Sequence, residues 1–251
     1  MRRLLVIGIG AGDPRLMTIE AGDAIGEVEV FLVVDKGETK DDLVAVRRQM
    51  LRTFARGAYR TIEIHDPPRD PALPYREAVQ QWHHQRVLAF ERALSEQVAD
   101  GECAGLLVWG DPSLYDSTLR IIDQVLERGR VAVDHRVFPG ISSVQVLAAR
   151  HRIPLNQIGG SVLITTGRRL REGLPDGIED VVVMLDGDTA FTTLTGQGFD
   201  IYWGAYLASA DELLIAGPLD EVADQIVKMR AEARRRRGWI FDTYLLRRQQ
   251  G

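Results

Sequence analysis

The residues that follow the first apolar run have the composition of a ligand-binding turn: Gly8-Ile9-Gly10-Ala11-Gly12-Asp13-Pro14. Glycines directly after a strand let the backbone turn sharply and approach a ligand closely. The dinucleotide fingerprint G-x-G-x-x-G fits Gly8 and Gly10 but fails at Asp13, where a third glycine would allow close helix–strand packing. A carboxylate at the turn would also repel a pyrophosphate. The pattern disfavours a nucleotide-phosphate site, although a dinucleotide-dependent oxidoreductase stays open as an alternative.

Two later turns share this character. Gly110-Asp111-Pro112-Ser113-Leu114-Tyr115 follows an apolar run that ends at Trp109, and Pro139-Gly140-Ile141-Ser142-Ser143 follows a run that ends at Phe138. Because the strands of a parallel sheet end at one edge, three such turns would meet there and form a shared pocket. Taken alone, a turn of this kind is more often structural than functional.

The elements that must position these turns alternate between short apolar runs and helical segments. Continuous apolar runs are typical of strands with both faces covered by helices, as in a parallel sheet. The alternation therefore predicts an α/β domain with a mostly parallel sheet. The predicted strands are Leu4–Ile9, Val28–Val34, Thr61–His65, Ala104–Trp109 and Val131–Phe138, and the helices are Ile19–Ile25, Leu43–Phe54, Ala78–Ala99 and Ser117–Arg128.

The pattern changes after Pro139-Gly140, which breaks regular structure, so we place a boundary between domains 1–140 and 141–251. The short gap between Leu207 and Glu212 suits a hairpin, so the sheet of the second α/β domain is predicted to be mixed. Its predicted strands are Ser161–Thr165, Asp180–Leu185, Ile201–Leu207, Glu212–Gly217 and Trp239–Leu246, with a helix at Leu219–Arg237.

Composition excludes several classes of protein. The chain has 251 residues and one cysteine, Cys103, which excludes an internal disulfide framework and a cysteine-cluster metal site. A net charge of −5 disfavours a nucleic-acid binder held by overall charge. No apolar stretch approaches the roughly 18 residues of a membrane helix, and glycines interrupt the N-terminal apolar run too early for a signal peptide. The sequence predicts a cytoplasmic protein without a metal site.

Together, the three turns resemble the motifs of the tetrapyrrole methylase family. These are S-adenosylmethionine-dependent methyltransferases that act on uroporphyrinogen and on corrin precursors. Gly8-x-Gly10-x-Gly12-Asp13-Pro14-x-Leu16-x-Thr18 resembles the first motif, and residues 110–115 and 139–143 resemble the second and third in the same order and spacing. The family usually has proline where this chain has Ala11, so the φ angle there is not preset.

The resemblance implies two α/β domains, a cofactor cleft between them and a homodimer. Glycine turns would offer backbone donors and acceptors to the amino-acid part of S-adenosylmethionine, and Met184 would offer an apolar wall to its adenine. A lone methionine in a strand is otherwise a core filler. By motif position, the predicted cofactor-binding residues are Ala11, Trp109, Gly110, Asp111, Leu114, Ser142, Ser143, Met184, Tyr206, Leu207, Ala216 and Gly217.

The segment Val108–Ile121, with Trp82-His83 before it, is most similar to one branch of the family. That branch methylates C1 of precorrin-5 and removes its acetyl group to give precorrin-6A. Methyl transfer from a sulfonium is an in-line displacement, which depends on positioning more than on a strong base. A methylase for another corrin-ring carbon and a protein that only sequesters a corrin intermediate remain alternatives.

Loss of the acetyl group would require a base or a donor to the developing oxyanion. The candidate catalytic residues are Asp13, Asp111 and Tyr115, with Asp116 and His135 also considered. Aspartates in such turns equally suit a capping role. Asp13, Arg15 and Tyr115 are the predicted substrate contacts, because they lie in the same turns and because the Arg15 guanidinium matches a carboxylate.

Overall fold

The computed structural model of the chain describes residues 1–35, 41–68, 70 and 72–249. It divides into two compact units, Met1–Ser142 and Ser143–Gly251. The strands of the first unit are β1 (Arg2–Gly8), β2 (Val30–Asp35), β3 (Arg60–His65), β4 (Cys103–Val108) and β5 (Val133–Phe138). Its helices are α1 (Ile19–Glu27), α2 (Asp41–Phe54), α3 (Tyr75–Arg92) and α4 (Thr118–Glu127), with a 3-10 turn at Pro14–Leu16 and a π-helical turn at Ala93–Gln97.

The sheet of the first unit is parallel throughout, in the order β3-β2-β4-β1-β5. The side chains of β1 point alternately to the two faces of the sheet, and helices cover both faces. Leu4 and Val6 join an apolar cluster with residues of α3 and α4, whereas Leu5 and Ile7 join a second cluster with residues of α1 and α2. Since successive side chains of a strand point to opposite faces, a continuous apolar run needs helices on both sides.

The second unit begins with α5 (Ser143–His151), which is followed by β6 (Val162–Thr166) and α6 (Gly167–Arg171). The remaining elements are β7 (Asp180–Met184), β8 (Phe199–Ala205), β9 (Leu213–Pro218), α7 (Leu219–Arg237) and β10 (Asp242–Arg248), with a 3-10 turn at Ala190–Leu194. The strand order is β6-β7-β10-β8-β9. Only β6 and β7 pair in parallel among the described strands of this sheet, because β10 runs antiparallel to both its neighbours and β8 and β9 form an antiparallel pair.

The predicted fold class, a parallel sheet followed by a mixed sheet, is confirmed. Three helices differ from the sequence-based expectation. The helix expected at Ala78–Ala99 starts earlier, at Tyr75, and its last part is the π-helical turn. Helix α5, which follows the third glycine turn directly, and the short helix α6 were not predicted. In the described part of the chain, no helix has the length and apolar character that crossing a membrane requires.

A buried polar network stabilises the second unit. The Arg230 guanidinium on α7 donates to Asp242 Oδ2 (2.8 Å) and to the main-chain oxygens of Asp186 and Gly187. Trp203 Nε1 donates to the same Asp242 oxygen (3.0 Å). The side chains of Arg230 and Asp242 are only 8% and 3% exposed. Burial raises the pKa of the Asp242 carboxyl, and the Arg230 guanidinium opposes that rise.

Replacing Arg230 by methionine is expected to lower the free energy of unfolding by about 3–5 kcal/mol. The substitution leaves the buried Asp242 carboxylate without its cation, and removing one partner of a buried pair costs this much. Urea unfolding followed by circular dichroism measures the effect. Arg236→Met, at an exposed position of the same helix, is the matched control and should change stability by less than about 0.5 kcal/mol. Equal midpoints for the two variants would contradict a stabilising role of the network.

Candidate functional site

The three glycine turns lie at the carboxyl edge of the first sheet. They follow β1, β4 and β5, which are neighbours in the strand order. In parallel sheets, ligands bind outside this edge. The strand order therefore confirms the prediction that the three turns meet at one edge of the sheet.

The turns touch through glycine backbones. Gly10 and Gly110 form an isolated antiparallel bridge, in which Gly10 N–H donates to Gly110 O (3.1 Å) and Gly110 N–H donates to Gly10 O (2.9 Å). A Cβ atom added at Gly8 would lie 2.6 Å from the amide nitrogen of Gly140. A Cβ added at Gly140 would overlap the Gly110 carbonyl oxygen and lie 2.8 Å from the Gly8 carbonyl carbon. The close approach of Gly8, Gly110 and Gly140, which we call the glycine junction, leaves no room for a side chain at Gly8 or Gly140.

Asp111 joins the second turn to the third. Its carboxylate accepts hydrogen bonds from Ser113 N–H (2.8 Å), from the Ser113 hydroxyl and from Gly140 N–H (2.9 Å). Partial burial would raise the pKa of Asp111, but these hydrogen bonds outweigh burial and hold the pKa below its usual value. The side chain is therefore ionised at neutral pH and both its oxygens accept hydrogen bonds. This geometry is that of a turn cap, the structural alternative to the predicted catalytic role.

Asp13 also caps a turn. Its carboxylate accepts from Arg15 N–H (2.9 Å) at the start of the 3-10 turn and pairs with the Arg15 guanidinium, with Nη2–H donating to Oδ2 (2.7 Å). The hydrogen bond to Asp13 raises the pKa of Arg15. The Arg15 side chain is 88% exposed, whereas that of Asp13 is 16% exposed. Asp13 thus holds the Arg15 guanidinium in place, and the guanidinium remains exposed to solvent.

Thr18 links the first turn to the third. Its Oγ1 accepts from Ala21 N–H (3.1 Å) and so caps α1, and the same hydroxyl donates to Pro139 O (3.4 Å). Thr18 belongs to the first motif of the family resemblance, and a threonine just before a helix suits the capping role. The additional contact depends on the strand order and has no local sequence signal.

The predicted apolar residues of this edge differ in exposure. Ala11 is buried, and Trp109 and Leu114 are half-buried. The Trp109 ring lies 3.1 Å from the position where a Cβ of Gly12 would stand, so it packs on that backbone. Tyr115 has a φ of +53° and is 43% exposed. Partial burial raises its pKa, so the phenol is protonated and can donate a hydrogen bond at neutral pH.

The other two candidates have structural surroundings. Asp116 Oδ1 accepts from Thr118 N–H (2.6 Å) and so caps the start of α4. His135 lies within β5, in register with Leu4, away from the strand end. Among the described residues, no three His, Cys, Asp or Glu side chains are grouped in a way that could hold a metal ion.

In the second unit, several predicted cofactor residues lie at one end of the sheet. Ser143 Oγ is 3.0 Å from Thr243 Oγ1, and Thr243 is in register with Met184 at the end of β7. Tyr206 and Leu207 follow the end of β8, whose last residue Ala205 pairs with Asp242 beside Thr243. The Tyr206 hydroxyl donates to Trp239 O (2.6 Å). Thr243 was not predicted from sequence, since nothing local marks its contact with Ser143.

Ala216 and Gly217 lie elsewhere on this sheet. They pair with Tyr202 and Ile201, whereas the Ala205 end of β8 pairs with Leu213. Ala205 lies three residues beyond Tyr202 along β8, which corresponds to about 10 Å. The structure therefore groups Ser143, Met184, Tyr206 and Leu207 at one end and places Ala216 and Gly217 toward the opposite end of β9.

The chain is similar to known proteins over its whole length. Residues 3–223 match the family model of the tetrapyrrole (corrin/porphyrin) methylases. The chain is 46% identical over 250 residues to a precorrin-6A synthase (deacetylating) from Sinorhizobium sp., with 99% of this chain and 96% of the relative covered. It also resembles the crystal structure of a cobalamin synthesis related protein (CobF) from Corynebacterium diphtheriae, with 37% identity, a TM-score of 0.87 and 100% of both chains covered.

A more distant structure shares the fold. The uroporphyrin-III C-methyltransferase of Thermus thermophilus, complexed with S-adenosylhomocysteine, has a TM-score of 0.58 and 18% identity over 97% of this chain and 96% of that one. At this identity the likeness supports the fold alone.

The glycine junction predicts that Gly140→Ala destabilises the protein by at least about 3 kcal/mol, because the new Cβ meets backbone atoms that cannot move aside. Thermal and urea unfolding measure the effect, and loss of folded protein is the extreme form of the same result. Gly57→Ala is the matched control, since the position of its Cβ is open and no positive φ is required. That control should be neutral or stabilise by about 0.5 kcal/mol. A Gly140→Ala variant as stable as the control would refute the junction.

Asp111→Asn should lower stability at pH 7 by about 1–3 kcal/mol, because a neutral amide replaces an ionised acceptor of three hydrogen bonds. A depressed carboxyl pKa stabilises the folded state above the ordinary value of about 3.9, and the contribution is lost as the pH falls through the lower folded value. The stability gap between wild type and Asp111→Asn should therefore close in acid. Asp123→Asn, at an exposed position of α4, serves as the control. A gap that is constant with pH would contradict the argument.

Proposed function

Because this chain belongs to the tetrapyrrole (corrin/porphyrin) methylase family, we propose that it is a methyltransferase of the precorrin-6A synthase type. The observation that carries the proposal is 46% identity to a precorrin-6A synthase (deacetylating) over nearly the full length of both chains. The 37% identity and TM-score of 0.87 to the CobF structure support the same assignment.

The proposed reaction transfers a methyl group from S-adenosylmethionine to C1 of precorrin-5. Water attacks the carbonyl of the acetyl group, and the carbon–carbon bond to the ring breaks with release of acetate, which leaves the electron pair of that bond on the ring. This pair forms the new bond to the methyl group as S-adenosylhomocysteine leaves. The products are precorrin-6A, S-adenosylhomocysteine and acetate. The cofactor supplies an electrophilic methyl group on a sulfonium, and the reduced tetrapyrrole supplies the nucleophilic carbon, so the protein mainly has to position the two.

The residues present fit such a cofactor. The position that a Cβ of Gly110 would occupy has no atom within 4 Å, so the backbone there is open to a ligand. Leu114 and the half-buried Met184 are apolar groups suited to an adenine ring. We assign cofactor binding to two groups of residues, one in each unit: Ala11, Trp109, Gly110, Asp111, Leu114 and Ser142, and Ser143, Met184, Tyr206, Leu207, Ala216 and Gly217.

The polar residues of the first unit have different proposed roles. We propose that Arg15, held by Asp13, donates to a carboxylate of the substrate. Tyr115 keeps its proton at neutral pH, so we assign it the donor role toward the acetyl carbonyl oxygen. Asp111 accepts three hydrogen bonds within the turns, so its contribution to the reaction is to fix the backbone of the proposed cofactor site rather than to move a proton.

The proposal extends to the assembly and location of the enzyme. The family resemblance supports a homodimer, and the similarity to enzymes of the corrin pathway supports a cytoplasmic location. Light scattering coupled to size-exclusion chromatography tests the first of these, and a monomeric mass at working concentration would overturn it.

The expected outcome of an anaerobic reaction with precorrin-5 and S-adenosylmethionine is a tetrapyrrole that has gained one methyl group and lost its acetyl group. Mass spectrometry of the tetrapyrrole and an enzymatic assay for acetate measure the two changes. Methylation without acetate would indicate a methylase for another corrin carbon, and binding without turnover would indicate a sequestering protein. Calorimetric titration is expected to show binding of S-adenosylhomocysteine. Binding of NAD(P) in its place would instead indicate an oxidoreductase.

A further inference from the structure

We propose that Arg47 forms a binding subsite for a carboxylate of the tetrapyrrole, an inference that rests on the proposed function for its ligand. Arg47 lies on α2, on the same helix face as Met50, Leu51 and Phe54, because residues spaced by three, four and seven lie above one another. Met50 and Leu51 are buried in the apolar cluster of the first unit, and Phe54 packs against it. An arginine therefore occupies a position of the buried stripe, where an apolar residue would be expected.

The guanidinium at this position is half-buried without a partner in the described part of the chain. Arg47 has no hydrogen bond and no ion pair with any of the residues described. Burial lowers its pKa, and the negative charge of Asp116 opposes that lowering. Burying a charge without pairing it is unfavourable. A guanidinium whose five donors meet no acceptor among the described residues is therefore suited to an anion that arrives from outside the protein.

Arg47 is close to the proposed site. Helix α2 packs against the Pro14–Leu16 turn, which carries Arg15. The negative charge of Asp116 acts on Arg47. Asp116 directly follows Tyr115, and its Oδ1 accepts a hydrogen bond from Thr118 N–H. Side chains on a helix lean toward its N-terminus. These relations place the guanidinium at the same edge of the first sheet as the first and second glycine turns.

Arg86, on α3, shows what a structural arginine looks like in this unit. Its Nε lies 3.0 Å from Asp66 Oδ1, its Nη1 donates to Ser117 Oγ (3.0 Å), and its guanidinium stacks over the Trp82 ring at 4.5 Å. Arg86 is thus provided with an anion, a hydroxyl and an aromatic face by the protein itself. Arg47 has no ion pair, hydrogen bond or aromatic face among the described residues, and only the charge of Asp116 acts on it without direct contact, so its environment can accommodate a ligand carboxylate.

The chemistry of the ligand follows from the guanidinium. Its planar donors match a carboxylate in a two-point arrangement, and charge-assisted hydrogen bonds of this kind are stronger than neutral ones. A corrin precursor carries many carboxylates around its rim. Arg47 and Arg15 would bind two of them and so fix the orientation of the ring relative to the methyl donor.

The test compares Arg47→Gln with Arg48→Gln, since Arg48 is an exposed neighbour on the same helix. Arg47→Gln is expected to raise the KM for precorrin-5 roughly tenfold to a hundredfold, the effect of one lost charge-assisted contact. The affinity for S-adenosylhomocysteine and the melting temperature should not fall, because the substitution removes no contact of Arg47 with the residues that the structure describes. Arg48→Gln should resemble wild type in all three measurements.

A binding assay with uroporphyrin, a stable polycarboxylate tetrapyrrole, separates this inference from the proposed function. The wild-type affinity should decrease with rising salt more steeply than that of Arg47→Gln, because screening weakens the contact that the variant lacks. An unchanged KM and an unchanged uroporphyrin affinity in Arg47→Gln would overturn the subsite, as would a lower melting temperature, which reveals an internal partner. If wild type does not methylate precorrin-5 but binds uroporphyrin through Arg47, the subsite stands and the proposed reaction fails.

Discussion

Direct contact among three glycine backbones is the constraint on which the carboxyl edge of the first sheet depends. Gly8, Gly110 and Gly140 are far apart in the chain, yet a Cβ at Gly8 or Gly140 would meet main-chain atoms of another turn. Each hydrogen bond that joins the turns contributes only about 1 kcal/mol, whereas the overlap of a side chain with backbone cannot be relieved by a change of rotamer. Steric exclusion therefore decides which residues are tolerated here, and the hydrogen bonds of Gly10, Asp111 and Thr18 fix the geometry that it permits.

The junction has a consequence for the chemistry of the edge. Asp111 and Asp13 are carboxylates beside a proposed active site, but their oxygens accept hydrogen bonds within the turns. An ionised, fully engaged carboxylate is a poor proton acceptor, because protonation would break the contacts that it makes. A methyl transfer tolerates this arrangement, since displacement at carbon depends on the alignment of donor and acceptor more than on proton transfer. Rigid turns are thus matched to a reaction limited by positioning.

Features that have a local signal in the sequence could be predicted from the sequence alone. Continuous apolar runs such as Leu4–Ile9 predicted a doubly covered parallel sheet, and the short gap after Leu207 predicted the antiparallel pair of β8 and β9. The order and spacing of the glycine turns were sufficient for the family. Contacts between distant segments could not be derived in this way. The second hydrogen bond of Thr18 and the pairing of Ser143 with Thr243 arise only when strand order brings their partners together.

Arginine shows most clearly why residue type alone does not determine a role. Arg230 and Arg86 are buried among groups that neutralise or stack on them, so their charge stabilises the protein itself. Arg15 shares Asp13 but points its guanidinium to solvent. Arg47 stands on a buried helix face with no such partner among the described residues. Because the free energy of a buried charge depends on what pairs with it, the partners of an arginine separate a structural role from a ligand-binding role, and burial alone does not. A single sequence cannot display that difference, since the partners are brought together only by the fold.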